Sequence, residues 1–289
     1  MKSDASRRID SLGTDVSEPI AVIGMSGYFP GSVTVQEFFC NVLRKRCFVR
    51  EVPDWLWEQE LYYSEDTTDP LTSYSRLGAL LQDLDIDLTR FRIPPAVAAQ
   101  MSGNQKLALI CAEEALVDAG CVGGNFDRDR FGVILAAVGG DLGETHIETM
   151  LSRRVRSRLE DAAETAEQKR VLDELWRAYE SDASRPPITE DTLPGESGHL
   201  VAGRIASSFD LHGPNLVIDS ACASSLAAVT TAMTTLRTGI CDTVITGGVD
   251  TEVGVSSYIL FSKVSALSPQ GAFPFDQRAL GGMGETAYL

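Results

Sequence analysis

Hydrophobic and polar positions fall in blocks that read as strands and helices in turn. Ile20-Ala21-Val22-Ile23 is a short apolar run ended by Gly24, the pattern of a buried strand. The next stretch, Met25-Ser26-Gly27-Tyr28-Phe29-Pro30-Gly31, is rich in turn formers. Phe38, Phe39, Val42 and Leu43 then share one face of a predicted helix. Residues 51–95 carry prolines at 53, 70, 94 and 95 and read as irregular. Leu107, Ile110, Cys111, Ala115 and Leu116 have helical spacing within 97–119, and Gly120 is placed to cap that helix. Residues 131–138 form the next apolar run, closed by Gly139-Gly140. Residues 144–182 are helical and densely charged, which predicts a solvated helix or hairpin laced with ion pairs. A proline-containing loop at 183–197 leads to a helix at 199–207, a strand at 216–221, a helix at 223–238 and a strand at 243–249. Strands alternating with helices predict a parallel α/β sheet.

Composition narrows the class. The 289 residues include 44% hydrophobic positions, enough to bury a substantial core as one large domain or two ordinary ones. Lys and Arg number 25 against 41 Asp and Glu, a formal net charge of −16. Such a surface argues against nucleic-acid binding through a general electrostatic footprint and against anionic membranes. No apolar run is long enough to span a bilayer. Residues 1–18 are polar, lack the apolar core of a secretion signal and read as a flexible tail. The six cysteines, at 40, 47, 111, 121, 222 and 241, form no CxxC, and no histidine lies at zinc-ligand spacing from a pair. The expectation is a cytoplasmic chain with reduced thiols and no bound metal or cofactor.

One cysteine stands apart. In the segment 216–239 Cys222 falls where a strand turns tightly into a helix. Such a turn lifts a side chain into an open site, and the helix start aims unpaired N–H groups and the positive dipole end at the sulfur. That environment favours thiolate, the reactive form of cysteine. The same N–H groups suit a thioester oxyanion. Small neighbours, Ala221, Ala223, Ser224 and Ser225, leave room for a bulky substrate. On position alone a buried, inert cysteine is an equally good reading. The helix after Cys222 carries no charge from Ala223 to Leu236, so it is expected to be buried on all sides. At about 1.5 Å per residue it is roughly 24 Å long, and something must cover both of its faces.

Asp219-Ser220-Ala221-Cys222-Ala223-Ser224-Ser225-Leu226 resembles the active-site signature of β-ketoacyl synthases. Glu18-Pro19-Ile20-Ala21-Val22-Ile23-Gly24-Met25 resembles the opening strand of that family. Gln105-Lys106-Leu107, the run Glu114 to Gly120, Ala202-Gly203-Arg204-Ile205-Ala206, and Gly213-Pro214 resemble the family's motifs ahead of the cysteine. Thr246-Gly247-Gly248-Val249-Asp250, Ala266-Leu267-Ser268-Pro269 and Pro274-Phe275-Asp276 resemble those after it. Tyr258, Phe261-Ser262-Lys263 and the charged insert at 144–182 resemble the ketosynthase domains of iterative type I polyketide and polyunsaturated fatty acid synthases. The resemblance implies a thiolase-like α/β fold of five layers, αβαβα, of which this chain carries the N-terminal half and the start of the second. Residues 19–265 would form that half, with 144–182 as an insert, and 266–289 a shortened start of the C-terminal half. It implies that Cys222 is a covalent nucleophile accepting an acyl chain from a phosphopantetheine thioester on an acyl carrier protein. A carbanion made by decarboxylating a malonyl thioester then attacks that acyl group. It also implies a homodimer.

The family further uses two histidines and a lysine, and no histidine here lies in a matching motif. His146 is read as solvated, His199 as a packing or surface residue and His212 as a turn residue. Gly281-Gly282-Met283-Gly284-Glu285-Thr286 resembles the family's glycine-rich stretch one residue short. The expectation is therefore a chain that is acylated but does not decarboxylate. The alternative is a catalytically incompetent remnant acting as a pairing module. A nucleotide-binding reading fails because neither GxGxxG nor GxxxxGK[ST] occurs. Arg44-Lys45-Arg46 with Arg50 is a candidate patch for an acidic carrier protein, and equally a solvated helix end.

Overall fold

The computed structural model describes residues 19–81, 86–121, 126–138, 144–181, 187–251, 253–273, 277, 283–284 and 286–288. The expected tail at 1–18, the Gly139-Gly140 closure, the Pro274-Phe275-Asp276 motif and most of the glycine-rich stretch lie outside the described residues. In chain order the elements are β1 (Gly27–Tyr28), α1 (Val35–Leu43), β2 (Arg50–Glu51), α2 (Gln59–Tyr62), β3 (Leu77–Ala79), α3 (Pro95–Gln100) and α4 (Gly103–Asp118). Then come β4 (Phe131–Ala137), α5 (Glu144–Ala162), α6 (Ala166–Glu180), α7 (Thr192–Glu196), α8 (Val201–Phe209) and β5 (Asn215–Ile218). The last are α9 (Ser224–Arg237), β6 (Thr243–Asp250), α10 (Val255–Lys263), β7 (Met283–Gly284) and β8 (Thr286–Tyr288). No described helix is long and apolar enough to cross a membrane.

The chain divides into two compact units. The first, residues 1–87, 103–139 and 198–289, holds a mixed sheet of order β1-β8-β6-β4-β5. β4 pairs in parallel with β5 and β6, whereas β8 runs antiparallel to both β6 and β1. Every residue of β4 is buried, as befits a central strand whose sequence is a continuous apolar run. Ile134 and Ala136 pack against Ala228 and Ala232 of α9, with Ile218 and Val244 alongside. α8 packs on β4 and β5, and α4 packs on α8 and β6. Two buried amides link these layers. Gln105 accepts from Arg204 Nε at 2.9 Å, and Asn104 Oδ1 accepts from the Thr251 N–H at 2.8 Å. α4 ends as its sequence dictates: Gly120 is left-handed (φ 69°) and the Cys121 N–H donates to Leu116 O at 2.8 Å. A small second sheet, β2-β3-β7, lies beside a cluster of Val52, Trp57, Val253, Tyr258 and Leu267.

The second unit, residues 88–102 and 140–197, contains α3, α7 and the charged pair α5 and α6. Arg156 organises that pair. Its guanidinium donates to Glu160 at 2.7 Å, lies 3.6 Å from Asp173 and 3.5 Å from Glu180, and stacks over Trp176. A complete capping box at Thr165 and Gln168 starts α6.

Two of these expectations need correction. Residues 20–24 are not a strand, although β1 begins just beyond them. Val22 is 76% exposed and Ile23 56%. An apolar run becomes a strand only where a neighbour pairs with its backbone, and no described strand does so here. The apolar face of α1 forms as expected, with Phe38 stacked on Phe29 and with Phe39, Val42 and Leu43 exposed. His146 is buried rather than solvated. It belongs to the first turn of α5, and its Nδ1 lies 3.7 Å from Glu196 of the same unit.

Candidate active site

The strand, turn and helix around Cys222 are built from short-range constraints. β5 ends at Ile218 and α9 begins at Ser224, so five residues make the turn. Asp219 Oδ1 accepts from the Ala221 N–H at 3.0 Å, an Asx turn that starts the reversal. Ala221 is then left-handed, at φ 53°. For an alanine that conformation costs about 1–2 kcal/mol, so the surroundings must hold it. Ser224 does much of the holding. Its hydroxyl accepts from the Ser220 N–H at 2.8 Å and donates to the Ala221 carbonyl at 2.6 Å, clamping the turn from both sides of Cys222.

Cys222 itself is exposed. The inert buried reading therefore does not describe this residue. The helix it precedes has no side-chain cap, because Ala223 stands at the cap position. The backbone N–H groups of Ser225 and Leu226 have no hydrogen-bond partner among the described residues. An exposed sulfur thus sits at the positive end of α9, next to unspent donors. The N-terminal turn of α9 lies close on β6, and a glycine permits this. A Cβ on Gly248 would fall 2.5 Å from Ser225 Oγ. The left-handed Ala221, the Ser224 clamp and the Gly248 contact are not legible one by one in the sequence. Their signal there is the density of small residues in Ala-Cys-Ala-Ser-Ser and the Gly247-Gly248 pair.

The other cysteines differ. Cys111 is buried, and burial together with the charge of Glu114 pushes its thiol up to about 12. Cys241 is buried and its thiol is also raised, chiefly by burial. Cys40 and Cys47 are exposed, the first in the middle of α1 and the second just after it, neither at the start of a helix.

No histidine hydrogen-bonds to Cys222 among the described residues. His199 is exposed in a short turn ahead of α8. His212 is a turn residue, as expected, with Nδ1 at 2.6 Å from Asp129 and Nε2 at 3.0 Å from Asp210. The two carboxylates, Asp129 foremost, raise its pKa above the ordinary 6.5. Among the described residues no cluster of three or more His, Cys, Asp or Glu could hold a metal ion.

α9 is only half covered. Ala228 and Ala232 are buried, whereas Leu226 is 75% exposed and Thr230 and Thr234 are exposed with it. These threonine hydroxyls donate to the carbonyls one turn back, Thr230 to Leu226 at 2.8 Å and Thr234 to Thr230 at 3.0 Å. The uncharged face therefore satisfies its own polar atoms.

Similarity to known proteins agrees with this geometry. Over 272 residues the chain is 33% identical to a phenolphthiocerol/phthiocerol polyketide synthase protein of Mycobacterium tuberculosis, 93% of this chain and 11% of that protein. It is 30% identical over 250 residues to a polyunsaturated fatty acid synthase protein of Thraustochytrium, 86% of this chain and 9% of that one. Among solved structures, an oxazolomycin ketosynthase domain from Streptomyces albus superposes with a TM-score of 0.70 at 22% identity. It shares the fold over 94% of this chain and 42% of its own. The ketosynthase from module 6 of the Bacillus subtilis bacillaene synthase gives a TM-score of 0.66 at 25% identity, over 93% and 38%. This chain thus spans about two fifths of these ketosynthases and a small part of the much longer synthases. The description "Beta-ketoacyl synthase, N-terminal domain" fits residues 17–287, and the chain belongs to that family, with its thiolase-like α/β fold.

Proposed function

We propose that Cys222 is the acyl-accepting nucleophile of a β-ketoacyl synthase acyltransferase serving polyketide or fatty acid biosynthesis. The observation that carries this reading is the exposed thiol at the uncapped start of α9. The substrate is an acyl thioester of the phosphopantetheine arm on an acyl carrier protein. The cofactor belongs to the carrier, and this chain binds none of its own. The Cys222 sulfur attacks the thioester carbonyl and forms a new C–S bond. The unpaired N–H groups of the first turn of α9 stabilise the oxyanion. The carrier's sulfur departs and takes the proton that Cys222 gave up. In the full reaction a malonyl thioester then loses CO2, and the resulting carbanion displaces Cys222 to give a β-ketoacyl thioester. Arg44, Lys45 and Arg46, all exposed at the end of α1, offer an acidic carrier the local positive charge that the net charge denies it. The working form is a homodimer.

No histidine hydrogen-bonds to Cys222 among the described residues, so the 289 residues alone are expected to accept the acyl group and stop there. Incubation with an acyl-pantetheine thioester and malonyl carrier protein should give an acyl adduct, absent in Cys222→Ala, and no free β-ketoacyl product. Release of that product by the purified chain contradicts this division of labour. The uncharged exposed face of α9 favours a second reading, a pairing module without catalysis. A wild-type chain that takes no acyl label and yet associates with a ketosynthase would support it.

A further inference from the structure

The charged helices α5 and α6 form an antiparallel hairpin whose two sides differ in chemistry. Arg156 of α5 reaches Asp173, Trp176 and Glu180 of α6 and also bonds Glu160 of its own helix. One side of the hairpin is therefore a network of ion pairs. An α-helix turns about 100° per residue, which puts Val155 and Leu159 on the opposite side of α5 from Glu160. The same turn puts Val171 and Leu175 on the opposite side of α6 from Asp173 and Glu180. Leu151 borders this second side, one turn before Val155. All five apolar side chains are between 44% and 63% exposed. No charged residue within 151–159 or 168–178 falls among them.

The two outer edges of that apolar side carry opposite charges. Arg158 stands on the edge of α5 that faces away from α6, and Glu174 on the edge of α6 that faces away from α5. Both are exposed, and neither joins an ion pair among the described residues, although Arg156, Glu160, Asp173 and Glu180 all do. The contacts of Arg156 fix how the two helices are staggered. Long side chains on a helix lean back toward its N-terminus, so the charged ends of Arg158 and Glu174 stand at about the same height along the hairpin. Within one copy they are kept apart by the width of both helices.

We propose that the apolar side of this hairpin binds the same side of a second copy of the chain, about a two-fold axis running parallel to the helices. The four helices then make an antiparallel bundle, with α5 of each copy over α6 of the other. Rotation about that axis keeps every residue at its own height, so Arg158 of each copy meets Glu174 of the other. The opposite edges are what select a second copy over an unlike helix. A partner of one sign would satisfy one edge and be repelled by the other, whereas a two-fold brings each edge onto its complement. The contact uses residues of the second unit alone and does not rest on the reading of Cys222.

The test is sedimentation equilibrium of the intact 289-residue chain over a range of concentrations at fixed ionic strength. Self-association with a Kd of roughly 10 μM to 1 mM is expected, because five part-exposed apolar side chains per copy make a small interface. Leu175→Glu, at a position already 63% exposed, should raise that Kd about tenfold or more without loss of helical circular dichroism. Arg158→Glu and Glu174→Arg should each weaken association about tenfold, since each sets like charges face to face, and the double variant should return to within about threefold of wild type. The two residues do not meet within one copy, so that recovery can arise only between copies. A contact elsewhere on the chain would act equally in every variant and leave these differences in place. Wild type and Leu175→Glu with the same mass at every concentration would overturn the proposal. So would single charge reversals that leave association unchanged, or a double variant that binds no tighter than the singles.

Discussion

At the scale of single residues the candidate site depends on one strained backbone position and one clamp. Ala221 sits left-handed without being glycine. Ala221→Gly should therefore raise the unfolding free energy by about 1 kcal/mol, and Ala221→Val should lower it by at least as much, as read by urea denaturation. Equal stability of the two variants would mean that the turn is not strained. Thiol exposure makes a second prediction. Brief alkylation of the native chain should modify Cys40, Cys47 and Cys222 and spare Cys111 and Cys241 until denaturant is added. Peptide mass mapping checks it. His212 supplies a pH dependence. Carboxylates face both of its ring nitrogens, so the imidazolium is favoured in the folded chain and the folded pKa lies above the ordinary 6.5. Stability from this residue is then fully present below about pH 6.5 and is lost as the pH rises through the raised value. His212→Ala should melt earlier than wild type at pH 5.5, and the gap should close toward high pH. A gap that is constant with pH would remove the ionic explanation. The strained Ala221 could not be read from sequence, because alanine has no intrinsic preference for φ above zero. Cys222 could, because its strand-to-helix context is local.

At the scale of elements, what was legible follows pairing. The runs at 131–138, 216–221 and 243–249 became β4, β5 and β6 within a few residues, because each has a bonded neighbour in the sheet. The run at 20–24 has the same apolar character and did not, because described backbone pairs with it nowhere. Periodicity reports which face of a segment is apolar. It does not report whether a neighbour arrives to cover it, and α1 and α9 both form with an apolar or uncharged face in solvent. The helix at 97–119 divides into α3 and α4, a break that side-chain periodicity does not mark. The approach of α9 to β6 yields a further prediction. Gly248→Ala places a methyl 2.5 Å from Ser225 Oγ but an ordinary 3.5 Å from Ser225 Cβ, so Ser225 need only turn its hydroxyl away, at a cost below about 1.5 kcal/mol in urea denaturation. Acylation of Cys222 should stay near wild type, because the backbone of the turn is not displaced. A loss of several kcal/mol, or a large drop in acylation, would show that the helix start moves with the methyl.

At the scale of the whole molecule, the motifs gave the family and the structure gave the arrangement that grounds the chemistry physically. Residues 17–287 match one family domain, and the sheet order β1-β8-β6-β4-β5 brings α9 and its leading cysteine to one end of β5. The sequence motifs distributed along the chain serve mostly to hold this frame: Gln105 with Arg204, Asn104 with Thr251, and Tyr258 in the core beside Trp57. The central claim is that position, and not exposure alone, makes Cys222 the acyl acceptor. Cys40 and Cys47 are exposed as well and provide the internal control. The most direct measurement exposes the native chain to a limiting amount of an acyl-pantetheine thioester and locates the acyl group by peptide mass mapping. The account predicts acyl transfer confined to the peptide carrying Cys222, and none in Cys222→Ala. Acyl groups spread evenly over Cys40, Cys47 and Cys222, or undiminished labelling of Cys222→Ala, would contradict it.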